Sequence, residues 1–210
     1  MRVLLLHGLW MPGLSMRPLA LRLRAAGFHT SVFAYHGALR GAEHALSALL
    51  PRLRQADAVV AHSLGGLMAL EALRRGPEVP VRRVLCLGSP LCGSATARAV
   101  RARGALGWAL GRSAAMLCAG CGDGANGRVD VAAIAGDVPF GLGGWLAHLE
   151  GEHDGAVAVA ETRLPGLADH RVVHASHSGL LLSPTVAALA ADFLREGRFR
   201  PPPGGQGASV

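Results

Sequence analysis

Short apolar runs alternate with longer amphipathic stretches along most of this 210-residue chain. The runs have the length of buried strands, and the stretches between them repeat apolar positions at helical spacing. Strands are expected at 3–6, 30–35, 58–62, 83–87, 130–135 and 171–174, and helices at 18–26, 42–54, 64–75, 95–110 and 185–195. This alternation is typical of parallel βαβ units. The chain is therefore predicted to be an α/β protein with about six mainly parallel strands and helices on both faces of the sheet.

The same pattern predicts one domain, residues 1–199. The segment between positions 88 and 128 has room for one helix and a glycine-rich connection, so no large lid domain is expected. Residues 200–210 are rich in proline and glycine and are predicted to form a disordered tail, because such a composition cannot bury a core.

The third predicted strand meets the following helix at Ala61-His62-Ser63-Leu64-Gly65. A serine in such a turn occupies a strained backbone position, so the residues two before and two after it must be small. Ala61 and Gly65 meet this requirement. The first helical turn offers free N–H groups beside the serine hydroxyl. Ser63 is therefore the candidate nucleophile, and the alternative is an ordinary serine that caps a helix.

A serine nucleophile needs a base, and the base needs a buried acid that orients it. In a parallel sheet these groups collect at the carboxyl ends of the strands. His177, which follows the sixth predicted strand, is the candidate base, and Asp154, in a glycine-containing loop after the fifth, is the candidate acid. Asp137 is the rival acid, because it follows the fifth strand directly.

The end of the first strand, His7-Gly8-Leu9-Trp10, is a candidate for binding the oxyanion of a tetrahedral intermediate. The backbone N–H groups of Leu9 and Leu64 are the expected donors. His7 is expected to pack or hydrogen-bond under this loop.

Other histidines are assigned no direct role. His62 is expected to point away from the Ser63 hydroxyl. Four histidines in the C-terminal part of the chain share no metal-binding spacing; they are His148, His153, His170 and His174. Cys118 and Cys121 have the spacing of half a zinc site or of a redox pair, but no second half lies near, and ordinary thiols are favoured. No metal site is expected.

Four large apolar residues lie near the predicted site in the sequence: Trp10, Phe140, Leu142 and Trp145. Two interpretations are open for them. They line an acyl pocket next to the nucleophile, or they cover the edge of the sheet as core.

Together these motifs resemble the α/β-hydrolase superfamily, and in particular its small bacterial lipase-like serine esterases. The resemblance extends from Val3 to about Phe199 and rests on four motifs, which are His7-Gly8-Leu9, Ala61-His62-Ser63-Leu64-Gly65-Gly66, Asp154-Gly155-Ala156-Val157 and His177-Ser178-Gly179. It implies hydrolysis of carboxylic esters, with short or medium acyl chains and lipid esters as candidate substrates, through an acyl-serine intermediate and without a cofactor. Ala61 departs from the glycine of many members, and Trp10 is larger than its counterpart in several lipases.

Two other functions stay open on the same fold. One is an acyltransferase or thioesterase, which changes the acceptor or the bond cleaved. The other is a hydrolase-like binding protein without catalysis.

Composition changes this picture little. The formal charge of +7 comes from arginines alone, since the chain has no lysine, and these are scattered among few aromatic residues. A nucleic-acid partner is therefore not expected, and the expected partner is a small-molecule ester. The apolar run at the N-terminus is too short for a membrane span and lacks a signal-peptide cleavage site, so a cytoplasmic protein without an integral membrane segment is expected.

Overall fold

The structure, a computed structural model, describes residues 1–35, 37–76, 78–102, 110, 113–120, 127–141 and 149–200. Among these residues, six strands form one sheet in the order β2-β1-β3-β4-β5-β6, and every pair of neighbours is parallel. The strands are β1 (Arg2–Leu6), β2 (His29–Phe33), β3 (Ala58–His62), β4 (Arg83–Leu87), β5 (Asp130–Gly136) and β6 (Asp169–Val173). The prediction of a parallel six-stranded α/β sheet is confirmed.

Helices cover both faces of this sheet. They are α1 (Arg17–Ala25), α2 (Gly37–Leu53), α3 (Leu64–Arg75), α4 (Ala95–Ala102), α5 (Ala114–Ala119) and α6 (Pro184–Glu196). One core cluster joins the sheet to α2, α3, α4 and α5, and the other joins it to α1 and α6. The central strand β3 is buried at all five positions, because apolar helix faces lie on both sides of it.

The stretch after β4 contains a helix that was not predicted. The predicted helix over 95–110 is present at Ala95–Ala102, and residues 103–109 lie outside the described residues, whereas a second helix, Ala114–Ala119, lies where a glycine-rich connection was expected. Good helix formers explain α5: its sequence is AAMLCA, Leu117 is buried, and Gly120 follows with a φ of 76°.

Smaller differences concern the edge strands. Residues 30–35 were expected as β2, but the strand is His29–Phe33, because it pairs residue for residue with β1, from Arg2 with His29 to Leu6 with Phe33. Strand β6 likewise begins at Asp169, which pairs with Ala132.

In the part of the chain that the structure describes, no helix is long and apolar enough to cross a membrane. Of the predicted tail, residues 200–210, all but Arg200 lie outside the described residues, as do Leu142, Trp145, His148 and Cys121.

Candidate active site

Ser63 lies in the turn between β3 and α3 with its backbone at positive φ, φ 54° and ψ −123°. Trp10, with φ 59°, is the other described non-glycine residue at positive φ, and it lies in the loop after β1. Such conformations cost about 1–3 kcal/mol each and persist only where the surroundings enforce them. Here the Ser63 N–H donates to the Leu87 carbonyl oxygen of β4 over 2.9 Å. This hydrogen bond to β4 thus holds Ser63 in place at the carboxyl end of β3.

Gly65 explains why the turn needs a small residue two positions after the serine. A Cβ added at Gly65 would lie 2.8 Å from the His7 carbonyl oxygen and 3.0 Å from that of Leu6. Both oxygens belong to the main chain of β1 and the loop after it. Helix α3 therefore approaches the end of β1 more closely than a side chain at position 65 would allow.

Replacing Gly65 with alanine is expected to lower the free energy of unfolding by about 1–3 kcal/mol, the usual cost of overpacking against atoms that cannot move away. Denaturant titration followed by circular dichroism measures this loss. Gly76→Ala is the matched control, since its added Cβ meets the flexible end of Leu50 at 2.6 Å and its φ of −127° suits any residue. Equal losses in the two variants would contradict the proposed contact.

His177 and Asp154 are brought together by the loops that follow β6 and β5. The His177 Nδ1 lies 2.7 Å from Asp154 Oδ2, and the His177 backbone N–H donates to the Asp154 carbonyl oxygen over 2.8 Å. The other carboxylate oxygen, Oδ1, accepts from the backbone N–H groups of Ala156 and Val157 at 2.9 and 2.8 Å. The carboxylate is buried, and all its partners are donors.

These partners decide the charge of Asp154. Burial alone would raise its pKa, but the attraction of His177 and the hydrogen bonds from His177, Val157 and Ala156 outweigh burial and lower the pKa below its ordinary value. An ionised Asp154 accepts the Nδ1 proton of His177, which leaves a lone pair on Nε2. The imidazole is thereby prepared to act as a base.

Several contacts place Ser63 and His177 in one region of the molecule. The ring of His62, the residue before Ser63, lies 4.5 Å from the His177 ring between centroids. A Cβ added at Gly88, the residue after Leu87, would lie 2.9 Å from Asp154 Oδ2 and 3.1 Å from His177 Nδ1. Within the described residues no hydrogen bond joins the Ser63 hydroxyl to the His177 ring. In ligand-free active sites such bonds are often long and tighten only around the substrate.

The loop after β1 is held by His7. The Tyr35 N–H donates to His7 Nε2 over 3.1 Å, so Nδ1 carries the ring proton and donates to the Gly8 carbonyl oxygen over 2.8 Å. Because a trans peptide is planar, fixing this oxygen fixes the Leu9 N–H on the opposite side. The expectation that His7 hydrogen-bonds under the loop is confirmed.

Two backbone donors lie beside the serine. A Cβ added at Gly8 would lie 3.0 Å from Ser63 Cβ, so the peptide that carries the Leu9 N–H adjoins Ser63. Leu64 is the first residue of α3, where an N–H has no carbonyl partner within the helix. Both donors are thus available to a negatively charged oxygen formed at Ser63.

Solved structures share this architecture. The mature form of Bacillus licheniformis lipase BlEst2 is 20% identical, with a TM-score of 0.75 over 94% of this chain and 92% of that chain. This is the α/β-hydrolase fold. No protein-family model matches the chain, and no curated protein sequence does.

Two further solved structures resemble this chain. The propeptide form of the same lipase has a TM-score of 0.74 at 20% identity, over 99% of this chain and 52% of that chain. A pyrethroid hydrolase from Sphingobium faniae JZ-2 has a TM-score of 0.63 at 16% identity, over 93% of this chain and 97% of that chain. At these identities the likeness shows the shared fold.

Asp137, the rival acid in this α/β-hydrolase fold, has a different partner. Its Oδ1 lies 3.0 Å from Nδ1 of His174, whose side chain is 87% exposed. Asp137 therefore belongs to a surface pair. Two other histidines also have local partners, since His170 contacts the Thr162 hydroxyl and His153 accepts from the Gly155 N–H.

Trp10 and Phe140 are exposed, at 62% and 77% of their surface. The interpretation that they cover the sheet edge as core is therefore wrong for these two residues, because neither is enclosed by neighbours. The main chain of Phe140 adjoins the acid loop, since a Cβ added at Gly155 would lie 2.5 Å from the Phe140 carbonyl carbon.

Metal and thiol chemistry receive no support from the described residues. Among them, no group of three or more His, Cys, Asp or Glu side chains is arranged to hold a metal ion. Cys118 is a partly exposed free thiol.

Sequence reasoning missed two residues of this candidate site. It assigned no role to His62, whose ring packs against that of His177, and none to Gly88, which adjoins Asp154 and His177. A glycine directly after a buried strand was the available signal for Gly88. For His62 the sequence held no signal, because its partner lies 115 residues away.

Proposed function

We propose that this chain is a serine hydrolase that cleaves carboxylic esters with short or medium acyl chains. The buried Asp154–His177 pair beside a strained serine at a strand-to-helix turn is the observation that carries the proposal. The lone pair on His177 Nε2 accepts the proton of the Ser63 hydroxyl as its oxygen attacks the ester carbonyl. Asp154 stabilises the imidazolium that results.

The tetrahedral intermediate places a negative charge on the former carbonyl oxygen. The N–H groups of Leu9 and Leu64 bind this oxygen, and each such donor contributes about 10²–10³ to the rate in enzymes of this kind. His177 then protonates the oxygen of the alcohol group as that group departs. The acyl group remains bound to Ser63. In the second half, His177 takes a proton from a water molecule, whose oxygen attacks the acyl carbonyl carbon. The bond from that carbon to Ser63 Oγ then breaks, His177 returns the proton to Oγ, and the acid is released.

An acyl chain as part of the substrate is supported by the surroundings of the site. Exposed apolar side chains, Trp10 in the oxyanion loop and Phe140 beside the acid loop, offer contact area for an acyl chain. BlEst2, which shares the fold, is described as a lipase.

Labelling with a fluorophosphonate tests the nucleophile directly. The reagent is expected to modify the tryptic peptide that contains Ser63, and prior addition of a hydrolysable ester should slow the labelling. Ser63→Ala, checked by circular dichroism, should not label. Modification of another serine in the folded protein, or none at all, would contradict the proposed role of Ser63.

Product analysis tests the reaction itself. A panel of p-nitrophenyl esters with increasing acyl length should give free acid in water, with the highest kcat/KM for short or medium chains. Adding an alcohol or a thiol as competing acceptor distinguishes hydrolysis from acyl transfer. A dominant transfer product at low acceptor concentration would replace the hydrolase proposal with an acyltransferase.

A further inference from the structure

His62 is the last residue of β3 and the neighbour of Ser63, and its side chain is completely buried. Its Nε2 lies 2.9 Å from the His177 carbonyl oxygen. A carbonyl oxygen only accepts, so the ring proton of His62 is on Nε2 and is donated to His177. The two imidazole rings pack with centroids 4.5 Å apart at an angle of 50°.

The His62 ring is neutral. Burial, aided by the nearby His177, lowers the pKa of His62 to about 3. A neutral imidazole has one N–H, and here that donor is used for the main chain of His177. The other nitrogen, Nδ1, is buried and has no hydrogen-bond partner among the described residues.

Packing alone does not account for this residue. A buried polar atom without a partner costs about 1–3 kcal/mol, whereas an apolar side chain of similar size would avoid that cost. The hydrogen bond to His177 is the contact that an apolar side chain would lose.

The main chain of His177 has two fixed points. Its N–H donates to the Asp154 carbonyl oxygen over 2.8 Å, which joins the base to the acid. Its carbonyl oxygen accepts from His62, which joins the base to the strand that carries Ser63. Without the second bond, the His177–Asp154 pair would remain intact, but the main chain of His177 would lose its hydrogen bond to the residue next to Ser63.

We infer that His62 is a positioning residue, which holds the backbone of His177 so that its imidazole stays aligned with the Ser63 hydroxyl. This inference rests on the proposed function of Ser63 and His177. It predicts a loss in the chemical step rather than in ester binding, because His62 is buried and does not contact solvent or substrate.

Two amide variants separate positioning from packing. In His62→Gln the side-chain nitrogen reaches approximately the place of Nε2 and keeps a donor for the His177 carbonyl. In His62→Asn the amide ends near the place of Nδ1 and cannot reach it. Both variants introduce an amide of comparable polarity into the same buried position.

With a p-nitrophenyl ester, His62→Asn is expected to lower kcat by about 10²-fold, the typical effect of a misplaced reacting group. Its KM should stay close to that of the parent. His62→Gln should recover most of the lost kcat. Fluorophosphonate labelling of Ser63 should slow in parallel in His62→Asn, whereas the downfield proton resonance of the His177–Asp154 hydrogen bond should persist in both variants, because that bond does not involve His62.

Thermal unfolding by circular dichroism shows whether each variant folds at the assay temperature. If His62→Asn does not fold, His62→Leu takes its place as the variant without a donor. Equal kcat values for the donor and non-donor variants, or a loss confined to KM, would overturn the positioning role. Ser63→Ala separates the two proposals: if it is inactive while His62→Asn keeps the parent kcat, only the positioning role fails, whereas an active Ser63→Ala removes the proposed function itself.

Discussion

Replacing Ser63 with alanine is expected to lower ester turnover by at least about 10⁴-fold, because no other group can carry the acyl intermediate. What remains reflects stabilisation by the Leu9 and Leu64 N–H groups, which the substitution does not touch. The strand ladder that holds residue 63 uses main-chain atoms only, through the bond to the Leu87 carbonyl. The melting temperature should therefore change little.

The measurement is kcat/KM on a p-nitrophenyl ester, with protein purified to exclude host esterases. Ser178→Ala is the matched control, since Ser178 is exposed, lies next to His177 and makes no cap hydrogen bond with its side chain. It should keep the parent rate. A Ser63→Ala protein with more than a small fraction of parent turnover would remove the acyl-serine mechanism.

The sequence predicted the central part of the fold well for a physical reason. Strand β3 is buried on both faces and helix α3 follows it directly, so the apolar pattern of residues 58–75 fits only a buried strand followed by a helix. Both elements have the predicted bounds. The stretch after β4 was predicted less well. Its glycines suggested a connection, while the helix Ala114–Ala119 depends on burying Leu117 against the core.

The candidate site likewise has a part that could be predicted from the sequence and a part that could not. Its candidate residues could be proposed from the sequence because the carboxyl ends of parallel strands meet at one edge of the sheet, a rule that needs only the order of the elements. Contacts between loops were not predictable in this way. The bond from His62 to His177 joins the end of β3 to the loop after β6, which are distant in sequence, and only the packed sheet brings them together.

The preference for Asp154 over Asp137 rested in the sequence on the resemblance of Asp154-Gly155-Ala156-Val157 to the acid loop of α/β-hydrolases, and the three-dimensional arrangement adds a separate argument for it. Both follow β5, and position along the chain alone favours Asp137, which is closer to the strand end. The main-chain bond from His177 to Asp154 and the side-chain bond between them occur together, so the loop that carries Asp154 is matched to the loop that carries His177. Asp137 contacts His174 instead.

Asp154→Asn is expected to lower kcat by about 10⁴-fold, through the tautomer of His177 rather than through the fold. Oδ1 of residue 154 accepts from the Ala156 and Val157 N–H groups, so the amide oxygen of asparagine must take that position. Its NH₂ group then replaces Oδ2 and faces His177 Nδ1. A donor at this position forces the ring proton onto Nε2, where the lone pair for Ser63 is needed.

Asp137→Asn is the matched control for this substitution. It disturbs a pair with an exposed histidine, and such surface pairs contribute only about 0–1 kcal/mol, so kcat should stay near that of the parent. Steady-state kinetics and thermal unfolding of both variants provide the comparison. Because Asp154 and Asp137 lie in the same connection after β5, a larger loss in Asp137→Asn would assign the acid to Asp137. It would also mean that the loop carrying His177 rearranges when the substrate binds, since in the present arrangement His177 is hydrogen-bonded to Asp154 at both its backbone and its ring.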